Sequence, residues 1–317
     1  MKKVIVTCGL PGKALDRLSK KYQLYIHSSK EKSMSDEELK QRITTADAVI
    51  TLLSNKIDKK MLDAAKKLKI VSNYAVGYNN IDIEACTDRN IWVGHTPDVL
   101  TETTADFAFA LLMSAARKIV VADKYVRNEK FHGWFPELFM GCDIHHKKLG
   151  IIGMGRIGQA VAKRALGFDM EVIYYDTRGE LGINNAQSVK FEELIETSDY
   201  ISLHVPLLES THHLISQKEL ERMKESAILI NTSRGPVIDE KALTKALQER
   251  IIAAAGLDVY EDEPNVHSGL LNHENVVLAP HIASSSKETR EKMTEVAVEN
   301  VIRVLEGNKP LHSVNKI

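Results

Sequence analysis

The stretch GIIGMGRIGQAVAKRALGFDMEVIYYD, Gly150–Asp176, decides how this chain is read. It begins as a short apolar run and passes through G-x-G-x-x-G at Gly153, Gly155 and Gly158. A helical pattern opens at Arg156, and a second apolar run ends at Asp176. Each glycine has its own physical reason. The first permits a tight turn, the second lets a pyrophosphate approach the backbone, and the third lets the helix pack on the strand. The helix N-terminus then presents N–H groups without intrahelical partners to phosphate. Glycine-rich turns also occur with no ligand at all. The strand, the helix and the acid about twenty residues on together make this one a dinucleotide-binding unit. A carboxylate at Asp176 accepts hydrogen bonds from adenosine ribose hydroxyls and repels a 2′-phosphate, which favours NAD. Arg178 leaves NADP open, since a guanidinium accommodates the extra phosphate, unless it is only a solvated loop charge.

Around this stretch, β and α patterns alternate almost throughout, as parallel sheets with crossover helices require. Upstream, VIVTC, LYIH, AVIT, IVSNY and IWVGHT read as strands separated by polar helical segments. From Lys148 on, LGIIG, EVIYYD, YISLHV, AILINT, IAAAGLDV and VVLAP are more continuously apolar, like strands covered on both faces. Two longer helical patterns separate the groups. One runs from Thr101 through Arg127 and is nearly uniformly apolar in its first half, as a helix buried between domains would be. The other starts near Ser286, with Ser285 and Glu288 as a capping box, and stops near Gly307. It follows the completed second sheet, so it carries the chain back to the first unit. The expected organisation is therefore discontinuous: residues 1–99 and 286–317 form one α/β domain, and 100–285 form an inserted nucleotide-binding domain.

The 317 residues suffice for two cores, and 44% hydrophobic with 27% charged is ordinary for a globular protein. Forty-two Lys plus Arg against 43 Asp plus Glu leave a formal charge of -1, so neither nucleic acid nor an anionic membrane is indicated as partner. A small molecule is expected instead. Cys8, Cys86 and Cys142 are odd in number and far apart, which fits a reducing compartment. No metal site is read from the sequence. With no signal-like apolar segment after Met1-Lys2-Lys3, the expected location is cytoplasmic.

Three polar residues stand where ligands bind in open α/β sheets, near the carboxyl ends of strands. Arg234 follows one strand in LINTSRGPVIDE, Glu263 follows the next in GLDVYEDEP, and His281 follows the last in NVVLAPHIASSS. Singly, each has a plain alternative as a surface arginine, a loop acid or a half-buried structural imidazole. Together they match a chemical need. Hydride transfer to a 2-keto acid requires a cation for the carboxylate, a proton donor for the carbonyl oxygen, and a group that keeps the donor charged. Arg234 suits the first through its planar fork, His281 the second, and Glu263 the third.

The chain resembles the D-isomer-specific 2-hydroxyacid dehydrogenases over nearly its whole length, and within them the glyoxylate and hydroxypyruvate reductases. The resembling segments, in family order, are NYAVGYNNIDIEA, TPDVLTETTADFAFALL, LGIIGMGRIGQAVA, LHVPLLEST, LINTSRGPVIDEKAL, AAAGLDVYEDEP and LAPHIASSSKETR. The resemblance implies a Rossmann domain inserted into a smaller flavodoxin-like substrate domain, both doubly wound parallel α/β sheets. It places the catalytic Arg, Glu and His on Arg234, Glu263 and His281, and the substrate-carboxylate loop on Val76 and Gly77. Cofactor contacts are implied from Arg156, Ile157, Pro206, Thr232, Asp258 and Ser284, with Asp258 near the nicotinamide carboxamide. HIASSS departs conservatively from the HIGSAT common among relatives. HGWFPELFMG, around Trp134 and Phe135, falls where the family has an arm reaching a partner subunit, which implies a homodimer; ordinary core is the other reading of its aromatics. Two rival functions remain at this level: an NADH-sensing regulatory binding protein on the same fold, and a dehydrogenase with another substrate. Formate oxidation is opposed by Glu263, because that chemistry needs no held imidazolium.

Overall fold

The computed structural model describes residues 1–29 and 32–317. It divides into two compact units, Met1–Leu100 with Ser284–Ile317, and Thr101–Ala283. In the first unit the strands are β1 (Lys3–Val6), β2 (Gln23–Ile26), β3 (Ala48–Thr51), β4 (Ile70–Asn73) and β5 (Trp92–Gly94). They form one sheet in the order β2-β1-β3-β4-β5, with every pairing parallel. That is the flavodoxin-like order. Strands β3 and β4 are buried along their whole length because helices cover both faces, so their sequences AVIT and IVSN show no polar alternation.

The second unit holds β6 (Lys148–Ile152), β7 (Glu171–Tyr175), β8 (Gln187–Ser188), β9 (Tyr200–Leu203), β10 (Ile228–Asn231), β11 (Ala254–Leu257) and β12 (Val276–Leu278). Their order is β12-β11-β10-β9-β6-β7-β8, again wholly parallel. Counting from β6, this is the 3-2-1-4-5-6 winding of a Rossmann sheet extended by one edge strand. The chain reverses direction across the sheet between β6 and β9. At that switch point the loops after two neighbouring strands diverge and leave a crevice for a ligand.

The long helical pattern after Thr101 is broken in two, Thr101–Ala116 and Ile119–Arg127. Lys118 takes a left-handed conformation (φ 53°), and the Ala116 carbonyl, which would otherwise extend the helix, accepts from the Cys142 amide at 2.9 Å. Sequence periodicity carries no sign of that distant partner. The first helix packs on β10, β11 and the helix Arg156–Ala165, so its apolar surface is spent on its own unit's sheet. The cap of the last helix, Lys287–Leu305, also differs from expectation. Ser286, not Ser285, is the N-cap, its hydroxyl accepting from the Thr289 amide at 3.2 Å. Glu288 lies in the first turn, where it favours the helix dipole without closing a capping box.

This last helix packs on β3 and β4 and holds the chain end through one buried amide. Asn300 is fully buried; its Nδ2 donates to the His95 carbonyl and its Oδ1 accepts from the His312 amide, both at 3.0 Å. Gly94 makes the room, since a Cβ there would sit 2.9 Å from Asn300 Nδ2. Asn315 repeats the device, bonding Val93, Ile91 and Thr87. Asn300→Ala removes the side-chain partner of two part-buried backbone groups, and we expect it to lower unfolding stability by about 1–3 kcal/mol in denaturant titrations. An unchanged midpoint would mean that the C-terminal segment is held by something else.

Candidate active site

The turn after β6 follows the steric logic of its glycines. Gly153 has φ +93°, and a Cβ on it would lie 2.6 Å from the His204 carbonyl just past β9. A Cβ on Gly158 would lie 2.3 Å from the Gly153 carbonyl. Gly155 is different, with nothing within 4 Å of where its Cβ would be. Two glycines are thus demanded by close packing of the chain on itself, and the middle one faces open space, as a pyrophosphate's approach requires. Gly155 is also the N-cap of the helix Arg156–Ala165, which begins with Arg156 and Ile157, and no side chain caps it. Thr232, just past β10, adds a buried hydroxyl with no hydrogen-bond partner among the described residues. Buried polar groups seldom go unpaired, and here a bound ligand can supply the partner. These features fit a dinucleotide.

Asp176 follows β7, its side chain only 8% exposed. Its Oδ2 accepts from the Met154 amide at 2.9 Å, which ties the β7 end to the glycine turn. Arg178 clasps the same carboxylate with Nε on Oδ1 and Nη2 on Oδ2, both at 2.8 Å. That fork, helped by the Arg178 and Met154 amides and opposed by burial, pulls the Asp176 carboxyl down to about 2. Arg178 is therefore no freely solvated loop charge. Pro206 lies exposed after β9, its carbonyl accepting from Thr211 Oγ1 at 2.7 Å.

Arg234, Glu263 and His281 leave the carboxyl ends of β10, β11 and β12, adjacent strands of one sheet. Glu263 Oε2 accepts from His281 Nδ1 at 2.8 Å, and its Oε1 accepts from the Tyr260 amide at 3.1 Å. Each side chain of the pair is about one-third exposed, at 33% for His281 and 37% for Glu263. Burial pushes the Glu263 carboxyl up, but the hydrogen bond and charge of His281, the Tyr260 amide and the Arg234 guanidinium together hold it below its ordinary value. Arg234 donates Nη1 to the Ser233 carbonyl at 2.6 Å; the rest of its fork makes no hydrogen bond among the described residues. Burial works against its charge, and the Glu263 carboxylate supports it. The three groups form one electrostatic system.

Residues outside that trio hold it in place. Asn231 Oδ1 accepts from the Ser233 amide and hydroxyl, while its Nδ2 donates to the Arg234 carbonyl. Gly235 lies against the next loop so closely that a Cβ would fall 1.8 Å from the Tyr260 carbonyl carbon. The Tyr260 hydroxyl in turn donates to the Ala279 carbonyl at 2.9 Å. Asp258, fully buried at the end of β11, accepts from the Ile282 amide at 2.7 Å and the Ala283 amide at 2.8 Å. Its own carbonyl accepts from the His281 amide. His281 meanwhile sits at φ +55°, a left-handed conformation uncommon for a residue with a Cβ. Sequence reasoning singled out Asp258 only as a cofactor contact and passed over Asn231. The signal was a polar residue ending each of two apolar strands, NT after AILI and DV after AAGL.

Val76, Gly77 and Ser284 belong to the first unit. The carbonyls of Val76 and Gly77 are taken by His95 Nδ1 at 2.9 Å and Asn73 Nδ2 at 2.7 Å. Their amides donate to nothing among the described residues, which leaves two adjacent N–H groups for an anion.

The Asp258 clamp is open to direct measurement. Asp258→Asn keeps the shape but turns a donor toward one of the two backbone amides, which should cost about 1–3 kcal/mol of local stability. Native-state hydrogen exchange at Ile282 and Ala283 should quicken by about 5- to 150-fold, at roughly 1.4 kcal/mol per decade. Unchanged exchange would show that the turn stands without the carboxylate.

Comparison with known proteins agrees with this geometry. Residues 109–283 match the family model for the D-isomer specific 2-hydroxyacid dehydrogenase, NAD binding domain. A glyoxylate reductase of Korarchaeum cryptofilum is 49% identical, the match covering 99% of this chain and 96% of that one. The crystal structure of the TT0316 protein from Thermus thermophilus superposes with a TM-score of 0.94 at 43% identity, covering 99% of this chain and 100% of the other. An NADPH-dependent glyoxylate/hydroxypyruvate reductase from Sinorhizobium meliloti, solved with NADP and malonate, is 30% identical with a TM-score of 0.89, covering 99% of this chain and 96% of the other. Coverage this nearly complete in both directions leaves neither unit outside the relationship: the chain belongs to the D-isomer specific 2-hydroxyacid dehydrogenase family.

Proposed function

We propose that this protein reduces a small 2-keto acid, glyoxylate or hydroxypyruvate, to the D-2-hydroxy acid with NADH or NADPH. The observation that carries the reading is the 2.8 Å hydrogen bond between His281 Nδ1 and Glu263 Oε2 in the unit that holds the nucleotide turn. With Nδ1 committed to the carboxylate, Nε2 is the nitrogen left to serve the substrate. A reduced nicotinamide, once held by these residues, would supply the hydride that the carbonyl carbon needs. His281 Nε2–H donates its proton to the carbonyl oxygen as the C=O π bond opens, and the product is an alcohol with a neutral imidazole. Glu263 holds the ring in that tautomer and favours its charged form. Arg234 offers the unoccupied part of its fork to the substrate carboxylate and polarises the adjacent carbonyl. In the first unit, the Val76 and Gly77 amides are proposed as donors to an anionic ligand.

The nucleotide is held by Gly153, Gly155 and Gly158, the first-turn residues Arg156 and Ile157, and Asp176, with Pro206, Thr232, Asp258 and Ser284 as further contacts. Asp176 favours NADH, and the Arg178 clasp admits NADPH by masking its charge. Among the described residues no helix is long and apolar enough to cross a membrane, and all three cysteines are free, which supports a cytoplasmic setting. A homodimer is part of the same proposal. Trp134 is 81% exposed and Phe135, Phe131 and Met140 are more than half exposed, a cost that a second copy covering this stretch removes. Its aromatics are thus not core.

If His281 is the proton donor, His281→Ala should lower kcat by about 10²–10⁴-fold while nucleotide still binds. Glu263→Gln removes the negative charge hydrogen-bonded to His281 Nδ1, and should move the upper pH limit of reduction downward. Near-normal kcat in the first variant, or an unmoved profile in the second, would return the pair to a structural role. In steady-state assays, glyoxylate and hydroxypyruvate should have higher kcat/KM than branched or aromatic 2-keto acids, with NADH preferred. Asp176→Ala should narrow the cofactor gap through KM. Preference for phenylpyruvate would overturn the substrate reading and leave the reaction type standing.

A further inference from the structure

On the second unit, beside the trio in sequence but sharing none of its residues, three metal-ligating side chains converge. His212 and His213 follow the loop after β9, and Glu261 follows β11; one ligand atom from each lies within 4.8 Å of the others. Consecutive side chains ordinarily diverge along an extended chain. Here the backbone takes a left-handed turn at His213 (φ +50°), and the two imidazoles stack with centroids 4.1 Å apart. Two such rings face to face gain little as a pair but offer two nitrogens in one direction.

The supports of the cluster resemble those of a metal centre. His213 points Nε2 at Glu261 Oε1, 2.5 Å away, while its Nδ1 faces Asp239 Oδ2 at 4.0 Å. At that distance Asp239 makes no hydrogen bond, but its negative charge stands behind the second ring nitrogen, the side from which a ligating histidine is usually supported. Glu261 is also held from behind: its Oε2 accepts from the Glu240 amide at 3.1 Å, and its own amide donates to Glu240 Oε1 at 2.6 Å. That leaves Oε1 aimed at the imidazoles. The backbone is pinned as well, the His213 amide donating to the Pro236 carbonyl at 2.8 Å. His212 is exposed, which leaves its ring accessible to an ion from solvent.

We propose that His212, His213 and Glu261 form a surface site for a divalent transition metal of the Zn²⁺ class, completed by water, which ties the loop after β9 to the loop after β11. Two imidazoles with one carboxylate suit Zn²⁺, Ni²⁺ or Cu²⁺, and they discriminate against Mg²⁺ and Ca²⁺, which take oxygen ligands. The site is independent of the proposed reaction, so its test reads binding and not turnover.

The full-length protein, stripped by chelator, would be titrated with Zn²⁺ and separately with Mg²⁺ by calorimetry, with melting followed at each saturation. We expect saturable Zn²⁺ binding, a rise in Tm by mass action, and no comparable effect of Mg²⁺. His212→Ala leaves the His213–Glu261 bond in place and should fold normally. It should weaken Zn²⁺ binding by at least about tenfold, that is by roughly 1.4 kcal/mol or more, and abolish the Tm rise. His213→Ala should do the same from the other ring. Unchanged Zn²⁺ affinity in His212→Ala, absence of saturable binding, or equal binding of Mg²⁺ would each overturn the proposal.

Discussion

A single buried carboxylate sets the position of the imidazole. Asp258, with no exposed surface, accepts the Ile282 and Ala283 amides directly after His281, and so holds that residue in a left-handed conformation. Burial dominates its titration and raises its pKa, while the two amides and the charge of His281 oppose the rise. The sign matters. An acid whose folded pKa is raised favours the fold below its ordinary pKa and loses that contribution as pH climbs through the folded value. Burial thus works against the ionised form, while its two amide hydrogen bonds hold a turn whose left-handed residue carries a Cβ. Glu263 has the opposite sign: its depressed carboxyl favours the fold above the ordinary carboxylate range and fails as pH falls.

The same economy governs the nucleotide end. Gly153 and Gly158 are dictated by close approach of backbone to backbone, and Gly155 by space left open beside them. Asp176 joins the turn to β7 through the Met154 amide, so the acceptor proposed for the ribose is also a structural tie. Arg178 closes over it with two parallel hydrogen bonds. A ligand at this carboxylate meets a neutralised pair, not a bare charge, which softens discrimination against a 2′-phosphate.

The loops at the carboxyl ends of β9, β10 and β11 are cross-linked by polar side chains as well as by apolar packing. Asn231 organises the Arg234 turn, the Glu240–Glu261 exchange fastens the next loop to the following helix, and His213 reaches across to Glu261. Each buried polar atom so used must find a partner or cost stability, so the network has few alternative arrangements. Preorganisation of this kind suits the proton donor proposed at His281, since catalysis is sensitive to small misplacements of the reacting groups.

Much of this was legible in letters. The G-x-G-x-x-G turn with its helix and Asp176, the alternation of strand and helix, and the polar residues ending successive strands are local patterns, written by sterics and burial into neighbouring positions. Their meaning follows from the periodicity of the chain and the geometry of a parallel sheet. What the tertiary structure decided was set by partners far apart in sequence. The break at Lys118 depends on Cys142, and the hold on His281 on a carboxylate at the end of the neighbouring strand. The clasp of Arg178 on Asp176 is local, yet only coordinates distinguish it from a solvated charge, because a side chain's rotamer is chosen by its surroundings and not by its name.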